Sequence, residues 1–334
     1  MLITQTPVFR RFWYPVAFAS AVTTSPVARR LLGVDLVLWP GTGGVVAAVD
    51  RCPHREAKLS PGWLEGGCRL VCPYHGWEYG PTGRAEHIPQ LPEGLPTPPA
   101  AQLQMLACQV RYDVVWVCLD PDPINDIPDI PEYGASGWRV VPEYEWMFDC
   151  SAAHLIENNF DPAHVAFVHR KTFGNPATAR FPVPENTRTP YGFDARSRVP
   201  VEGRHGEAGA TERLTTAEFH LPFHGVIRIG YADGLSHIMF KGCCPIDDDH
   251  TRLVQFVVRN DTEADVPAAD ILAFDHRVEA EDQALLATVP ANYPLDLADN
   301  VHLKIDRSSM EMRRLFAELL NGTWTPQREV VRAI

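Results

Sequence analysis

The 334-residue sequence has no apolar run near the about 20 residues that cross a bilayer. Val114-Val115-Trp116-Val117-Cys118-Leu119 is long enough only for a buried strand. Met1 to Phe12 lacks the basic-then-apolar pattern of a secretory leader. Gly41-Thr42-Gly43 has no third glycine at the offset a dinucleotide-binding turn requires, and no helix opens behind it. No flavin- or nicotinamide-binding motif, internal repeat or low-complexity tract is present. Positive charge is scarce: 30 Lys and Arg against 42 Asp and Glu leave −12, which disfavours nucleic acid and anionic membrane as partners. The eight cysteines show no disulfide-like spacing. Cys68, Cys108, Cys118, Cys150, Cys243 and Cys244 sit mostly in apolar contexts and read as buried free thiols of a soluble, cytoplasmic protein.

Two short stretches carry chemistry: Cys52-Pro53-His54-Arg55 and Cys72-Pro73-Tyr74-His75-Gly76-Trp77. Each offers one thiolate and one imidazole on a tight Pro/Gly loop. A Rieske [2Fe–2S] cluster needs two cysteines on one iron and two histidines on the other, which two such loops supply from opposite sides. Structural zinc fits less well, because its ligands usually read C-x₂₋₄-C with H-x₃₋₅-H rather than mixed C-x-H and C-x₂-H.

The surrounding sequence reads as short strands and turns. Leu36–Trp39 and Val45–Val49 form a hairpin around Pro40-Gly41-Thr42-Gly43-Gly44, and Tyr112 to Leu119 closes a β unit. The Pro/Asp-rich passage from Asp120 to Pro131 can continue neither helix nor central strand and reads as a linker. We therefore expect domains at 1–130 and 131–334. The second domain begins with a helix over Ser151–Phe160. Strands follow near Phe193–Val199, Arg213–Leu221, Gly225–Tyr231, Ser236–Gly242 and Arg252–Val258, then helices over Ala268–Thr288 and Ser308–Leu320. The fold class is α+β, an all-β domain followed by an antiparallel sheet backed by helices.

A second constellation lies in Asn158-Asn159-Phe160-Asp161-Pro162-Ala163-His164-Val165-Ala166-Phe167-Val168-His169. His164 and His169 are five apart, too far round an ideal helix to share a face. Pro162 should end or kink the helix so that both rings can reach one point. Two neutral imidazoles plus a carboxylate make the facial triad of non-haem Fe(II) oxygenases, with positions left open for O₂.

Together, Cys52-x-His54, Cys72-x₂-His75 and Asn158-x₂-Asp161-x₂-His164-x₄-His169 resemble the oxygenase component of Rieske non-haem iron oxygenases, over about residues 10 to 320. The resemblance implies a Rieske domain holding its cluster through Cys52, His54, Cys72 and His75, then a helix-grip domain with a mononuclear iron. It implies that Asp161 bridges the cluster of one subunit to the iron of its neighbour, with Asn158 beside the metal. It implies a third iron ligand on a late helix: within Val278–Leu286 the choice is Asp282, with Asp306, Glu281 and Asp275 as rivals. Glu56 departs from the pattern, standing where relatives often carry glycine, which puts that loop's geometry in question. No Cys-x₂-Cys pair lies near the C-terminus, unlike the chlorophyll-breakdown branch.

The activity so implied is monooxygenation, a hydroxylation or O/N-demethylation of a small cyclic substrate, with ring cis-dihydroxylation as the alternative. Electrons would come from NAD(P)H through a separate flavin/iron–sulfur reductase or ferredoxin, and the short chain resembles members that act as homotrimers. A Rieske electron carrier without oxygenase activity would have no use for the second histidine pair, and a zinc-binding interaction protein would be colourless. Phe160, Phe167, Phe173, Phe219, Phe223, Tyr231 and Met239 are candidates for an apolar pocket or for plain core.

Overall fold

The structure is a computed structural model that describes residues 1–141, 144–202 and 210–324. Residues 325–334, which the expected second domain includes, lie outside the described residues. The chain forms two packed units, Arg10–Pro123, and Ile124 onward together with Met1–Phe9. The division falls inside the Pro/Asp-rich passage, but Ile127 and Ile130 within that passage are buried.

Arg10–Pro123 is all β. Strands β1 (Tyr14–Phe18), β10 (Val114–Cys118) and β9 (Ala107–Arg111) form one sheet, and β2 (Val27–Leu31), β3 (Val34–Gly41) and β4 (Gly44–Val49) a second. Every residue of β10 is buried, as its unbroken apolar run requires. The β3–β4 hairpin turns on Thr42-Gly43 alone, because Gly41 pairs with Gly44 and Pro40 with Val45. Pro40 is tolerated in a strand because β2 pairs only as far as Leu38, so Pro40 has no neighbour needing an N–H there. The third sheet, β5 (Trp63–Glu65), β6 (Arg69–Val71), β7 (Glu78–Tyr79) and β8 (Ala85–His87), is built of strands two or three residues long. Cys52, Leu59, Leu70, Cys72 and Tyr79 share one buried cluster with Val37, Trp39 and Ala48. Strands this short cannot hold themselves together, so the loops between them are fixed by this packing.

The later unit is one antiparallel sheet with helices, the α+β class expected. Its strands run β11 (Arg139–Val141), β18 (Thr251–Arg259), β17 (Ser236–Pro245), β16 (His224–Gly230), β15 (Ala210–His220), β14 (Gly192–Glu202), β13 (Glu185–Thr189), with β12 (Glu145–Phe148) also on β18. Helix α1 (Ala152–Asn159) ends short of Pro162, one turn α2 (Val165–Val168) follows, and α3 (Ala268–Leu286) and α4 (Arg307–Leu320) come after the sheet. Residues directly paired across antiparallel strands point to one face. Phe193, Phe219, Gly225, Lys241 and Gln255 therefore form one row across five strands. Glycine at 225 suits this packing, since a Cβ there would lie 3.2 Å from the Phe160 ring, closer than ordinary contact. Phe160 meets Phe193 and Phe219 edge to face with centroids 5.7 Å apart, and Phe193 and Phe219 are tilted against each other at 5.2 Å. The row is thus apolar at one end and polar at the other.

Several readings are adjusted. Of the aromatic candidates, Phe160, Phe219 and Phe223 are core, whereas Phe167 and Phe173 are 52% and 43% exposed, and Phe173 stacks on the His169 ring at 4.9 Å. Cys68 and Cys108 are only partly buried, Cys68 in the turn before β6 and Cys108 on the edge strand β9, while Cys118, Cys150, Cys243 and Cys244 are buried as expected.

Candidate metal centres

The two Cys/His loops are built alike, atom for atom along the backbone. In the first, the Cys52 N–H donates to the Ala57 carbonyl (2.8 Å) and the Glu56 N–H returns to the Cys52 carbonyl (2.9 Å). In the second, Cys72 donates to Trp77 (2.9 Å) and Gly76 returns to Cys72 (3.0 Å). The residue four after each cysteine has positive φ, +58° at Glu56 and +71° at Gly76. The turn therefore demands the left-handed region at both places, and Glu56 adopts it without glycine's freedom. The departure at Glu56 leaves the loop geometry intact. Asp50, buried, holds the first loop's exit by accepting from the Leu59 N–H (2.6 Å), the Ser60 N–H (2.8 Å) and the Ser60 hydroxyl (2.6 Å).

The four candidate ligands converge. The His54 and His75 rings are 4.5 Å apart between centroids, and the two sulfurs share a hydrogen bond. That bond from Cys72 pulls the Cys52 thiol down to about 5 and, with burial, pushes the Cys72 thiol up. Backbone amides of His54 and Arg55 turn onto Cys52, and those of Tyr74 and His75 onto Cys72. Amides aimed at sulfur are what thiolates bound to a cluster require. The buried Tyr79 hydroxyl lies 3.2 Å from Cys52 Sγ, a partner that nothing in the sequence pattern announces. The His54 Nδ1 is buried with no hydrogen-bond partner among the described residues, which suits a metal ligand and not a packed imidazole. The cysteines are buried and the histidines half-buried, so the imidazoles form the outward edge.

In the later unit the structure brings His164, His169 and Asp282 together, with one donor atom from each within 4.8 Å of the others. The two Nε2 atoms are 3.2 Å apart, and Asp282 Oδ1 lies 3.7 Å from one and 3.4 Å from the other. The far ring nitrogens fix the tautomers. His164 Nδ1 is 2.6 Å from the Asp161 carbonyl and His169 Nδ1 is 3.0 Å from Glu281 Oε2, so each Nδ1–H donates outward. Burial lowers the His164 pKa and keeps the ring neutral. Two lone pairs and a carboxylate oxygen then face one another with no proton to share, and Asp282 Oδ1 has no hydrogen-bond partner among the described residues. Such a donor set fits a divalent cation and is unfavourable without one.

The break after α1 makes this possible. Asp161 Oδ1 accepts from the Ala163 N–H (2.7 Å), and the Asp161 N–H donates to the Asn158 carbonyl (3.1 Å), a tight turn that carries Pro162 and swings His164 inward. Asp161 itself is 31% exposed at its side chain while its carbonyl holds His164. Asn158 has a buried Nδ2 without a partner among the described residues. Glu281 lies behind His169, where the Thr172 hydroxyl donates to it (2.8 Å). Asp306 accepts from the Leu303 N–H in a distant turn, and Asp275 accepts from Gln255 two helical turns before Asp282. The neighbour relation Glu281–Asp282 was visible in sequence, but which of the two faces the histidines is set by the rotation of α3.

A β unit with paired Cys/His loops, ahead of an α+β unit with a buried two-histidine, one-carboxylate group, is the plan of a Rieske-type oxygenase. Residues 12–106 match the Rieske [2Fe-2S] domain, and residues 148–322 match the vanillate O-demethylase oxygenase C-terminal domain. The chain belongs to the Rieske non-haem iron oxygenases with this vanillate O-demethylase type of catalytic domain. It is 30% identical to methylxanthine N1-demethylase NdmA of Pseudomonas putida over 93% of this chain and 89% of that protein. It is 29% identical to methylxanthine N3-demethylase NdmB of the same species, over 95% and 91%. The structure of Pseudomonas putida NdmA with caffeine superposes with a TM-score of 0.84, covering 98% of this chain and 99% of that one, at 27% identity. The chain is thus an oxidoreductase whose Rieske domain binds a [2Fe–2S] cluster. Its family uses mononuclear iron and takes electrons from a separate reductase or ferredoxin.

Proposed function

We propose that this protein removes a methyl group from nitrogen or oxygen of a small cyclic substrate by hydroxylating that methyl. The observation that carries this reading is the His164–His169–Asp282 group, whose three acceptors face each other without a proton. The balance is R–CH₃ + O₂ + two electrons + two protons giving R–H, formaldehyde and water; the electrons come from NAD(P)H through the reductase. When bound, the cluster supplies electrons singly and the ferrous ion activates O₂.

The residues of the chain do the rest. Cys52, His54, Cys72 and His75 would hold the cluster, and His164, His169 and Asp282 the iron. His169 and Asp282 are nearly inaccessible, at 2% and 4% exposure, so water is kept from the ligand group. Asp161 ties His164 through its carbonyl and offers its carboxylate at the surface, which supports a role in bridging to a neighbouring subunit's cluster and a homotrimeric assembly. Asn158 Nδ2 is a buried donor available beside that turn. We assign 1–130 as the electron-entry domain and 131–334 as the catalytic domain; the packing division at Pro123 lies within the same Pro/Asp passage, with Met1–Phe9 on the catalytic side. Eight free cysteines favour a reducing cytoplasm.

The test is turnover of iron-replete protein with an NAD(P)H-driven reductase and a panel of N- and O-methylated cyclic compounds, read by mass spectrometry. Loss of a methyl with equimolar formaldehyde supports the reading; gain of two oxygens on a ring overturns it.

A further inference from the structure

The buried face of α3 is formed by Ile271, Asp275, Glu279, Asp282 and Leu286, spaced as one helical stripe, and three of the five are acids. An apolar stripe would have packed this helix on its sheet at lower cost, because burying ions loses hydration that pairing seldom restores in full. Opposite the acids lie Lys241 and Gln255, direct cross-strand partners at the polar end of the row described above. Lys241 Nζ donates to Glu279 Oε1 at 2.6 Å, and Gln255 Nε2 donates to Asp275 Oδ2 at 3.3 Å and to the Tyr144 hydroxyl at 3.2 Å. Glu279 and Gln255 are 2% and 1% exposed, yet Glu279 Oε2 and Gln255 Oε1 have no hydrogen-bond partner among the described residues. Both are acceptors. Glu279 stands one helical turn from Asp282 on the same face and feels the charges of Asp282 and His169.

We propose that Glu279 and Gln255 are specificity-determining residues, selecting an uncharged cyclic substrate that presents an N–H or O–H donor and rejecting aromatic carboxylates. The inference rests on the reading of His164, His169 and Asp282 as the reaction centre. Two open acceptors, Glu279 Oε2 one turn from Asp282 and Gln255 Oε1 beside Asp275 one turn further on, hold a ligand donor, as buried acceptors must find one. Lys241 and Arg259 are the cations that Asp275 feels, and Glu279 and Asp261 already neutralise them, so a carboxylate entering here would meet Asp275 and Glu279 with no unpaired positive charge among the described residues. An N–H or O–H group meets the opposite situation. Sites built to hydrogen-bond a donor discriminate strongly against analogues lacking it.

The experiment is calorimetric titration of the cluster-loaded protein, with and without added ferrous ion. The probes are 1-methyluracil, its N3-methylated analogue 1,3-dimethyluracil, 4-methoxyphenol and 4-methoxybenzoate. The donor-bearing neutral probes should bind at least tenfold more tightly than 1,3-dimethyluracil and 4-methoxybenzoate. Glu279→Leu alone leaves Lys241 buried and unpaired, so the paired variant Lys241→Met/Glu279→Leu removes both charges together. It should keep the cluster spectrum and iron content while losing about 10- to 100-fold of the preference for donors. Preference for 4-methoxybenzoate, no binding of either donor-bearing neutral probe, or an unchanged ranking in the paired variant overturns the proposal. Failure of the demethylation reading would show instead as absent methyl loss in turnover with the binding preference intact.

Discussion

At the scale of single residues, the account turns on which atom of each side chain faces the metal group. Glu281 neighbours Asp282 in sequence but serves His169, accepting its Nδ1–H at 3.0 Å and the Thr172 hydroxyl at 2.8 Å. A carboxylate behind a ligating imidazole fixes its orientation and strengthens it as a donor. Glu281→Gln should leave the fold and the cluster intact while lowering iron affinity about 10- to 100-fold, read as iron lost to a chelator during dialysis. A variant that retains iron like the parent would show that Glu281 has no such role. The second test at this scale concerns the two matching turns. Gly76→Ala places a Cβ at φ +71° and 3.3 Å from Pro89 Cγ, and should destabilise the cluster unit by about 1–2 kcal/mol, seen as faster thermal bleaching of the visible spectrum. Glu56→Gly, at φ +58°, should bleach no faster than the parent.

At the scale of elements, α3 carries Asp282, the carboxylate of the proposed iron site, and an unusual buried stripe. Burial pushes the Asp275 carboxyl up to about 6, from an ordinary value near 3.8. The sign follows directly: the folded state binds this proton more tightly than the unfolded chain, so stability is lost as pH rises from about 4 through 6. Asp275→Asn keeps the acceptor for Gln255 and removes the charge. It should raise the melting temperature of the later unit at pH 8, where about 3 kcal/mol is at stake, and change little at pH 4. Equal effects at both pH values would refute the burial explanation. The sequence told a good deal at this scale. Periodicity found α3 and α4 within two residues of their ends, and Pro162 marked the break between α1 and α2. It could not tell which acids of α3 face inward, because a stripe of Asp and Glu reads as a solvated face until the sheet partner Lys241 is known. Strands of two or three residues, β5 to β8, left no period to detect.

At the scale of the whole molecule, the two constellations were legible because each depends on short spacings that chemistry restricts tightly: Cys-x-His, Cys-x₂-His and Asp-x₂-His-x₄-His. The third donor, 113 positions after His169, was fixed only by a likeness to a known family, since contacts of that span leave no local pattern. The packing of Met1–Phe9 with the later unit was hidden for the same reason, as its partners, among them Phe223 and Phe316 against Phe9, are hundreds of positions away. The central claim is that one chain holds two separate iron sites, one relaying electrons and one spending them. Iron analysis with EPR of the reduced protein, parent against His164→Ala, tests it most directly. The account predicts three irons per chain in the parent and two in the variant, with the low-average-g cluster signal unchanged. Three irons in both, or loss of the cluster signal together with the third iron, would contradict it.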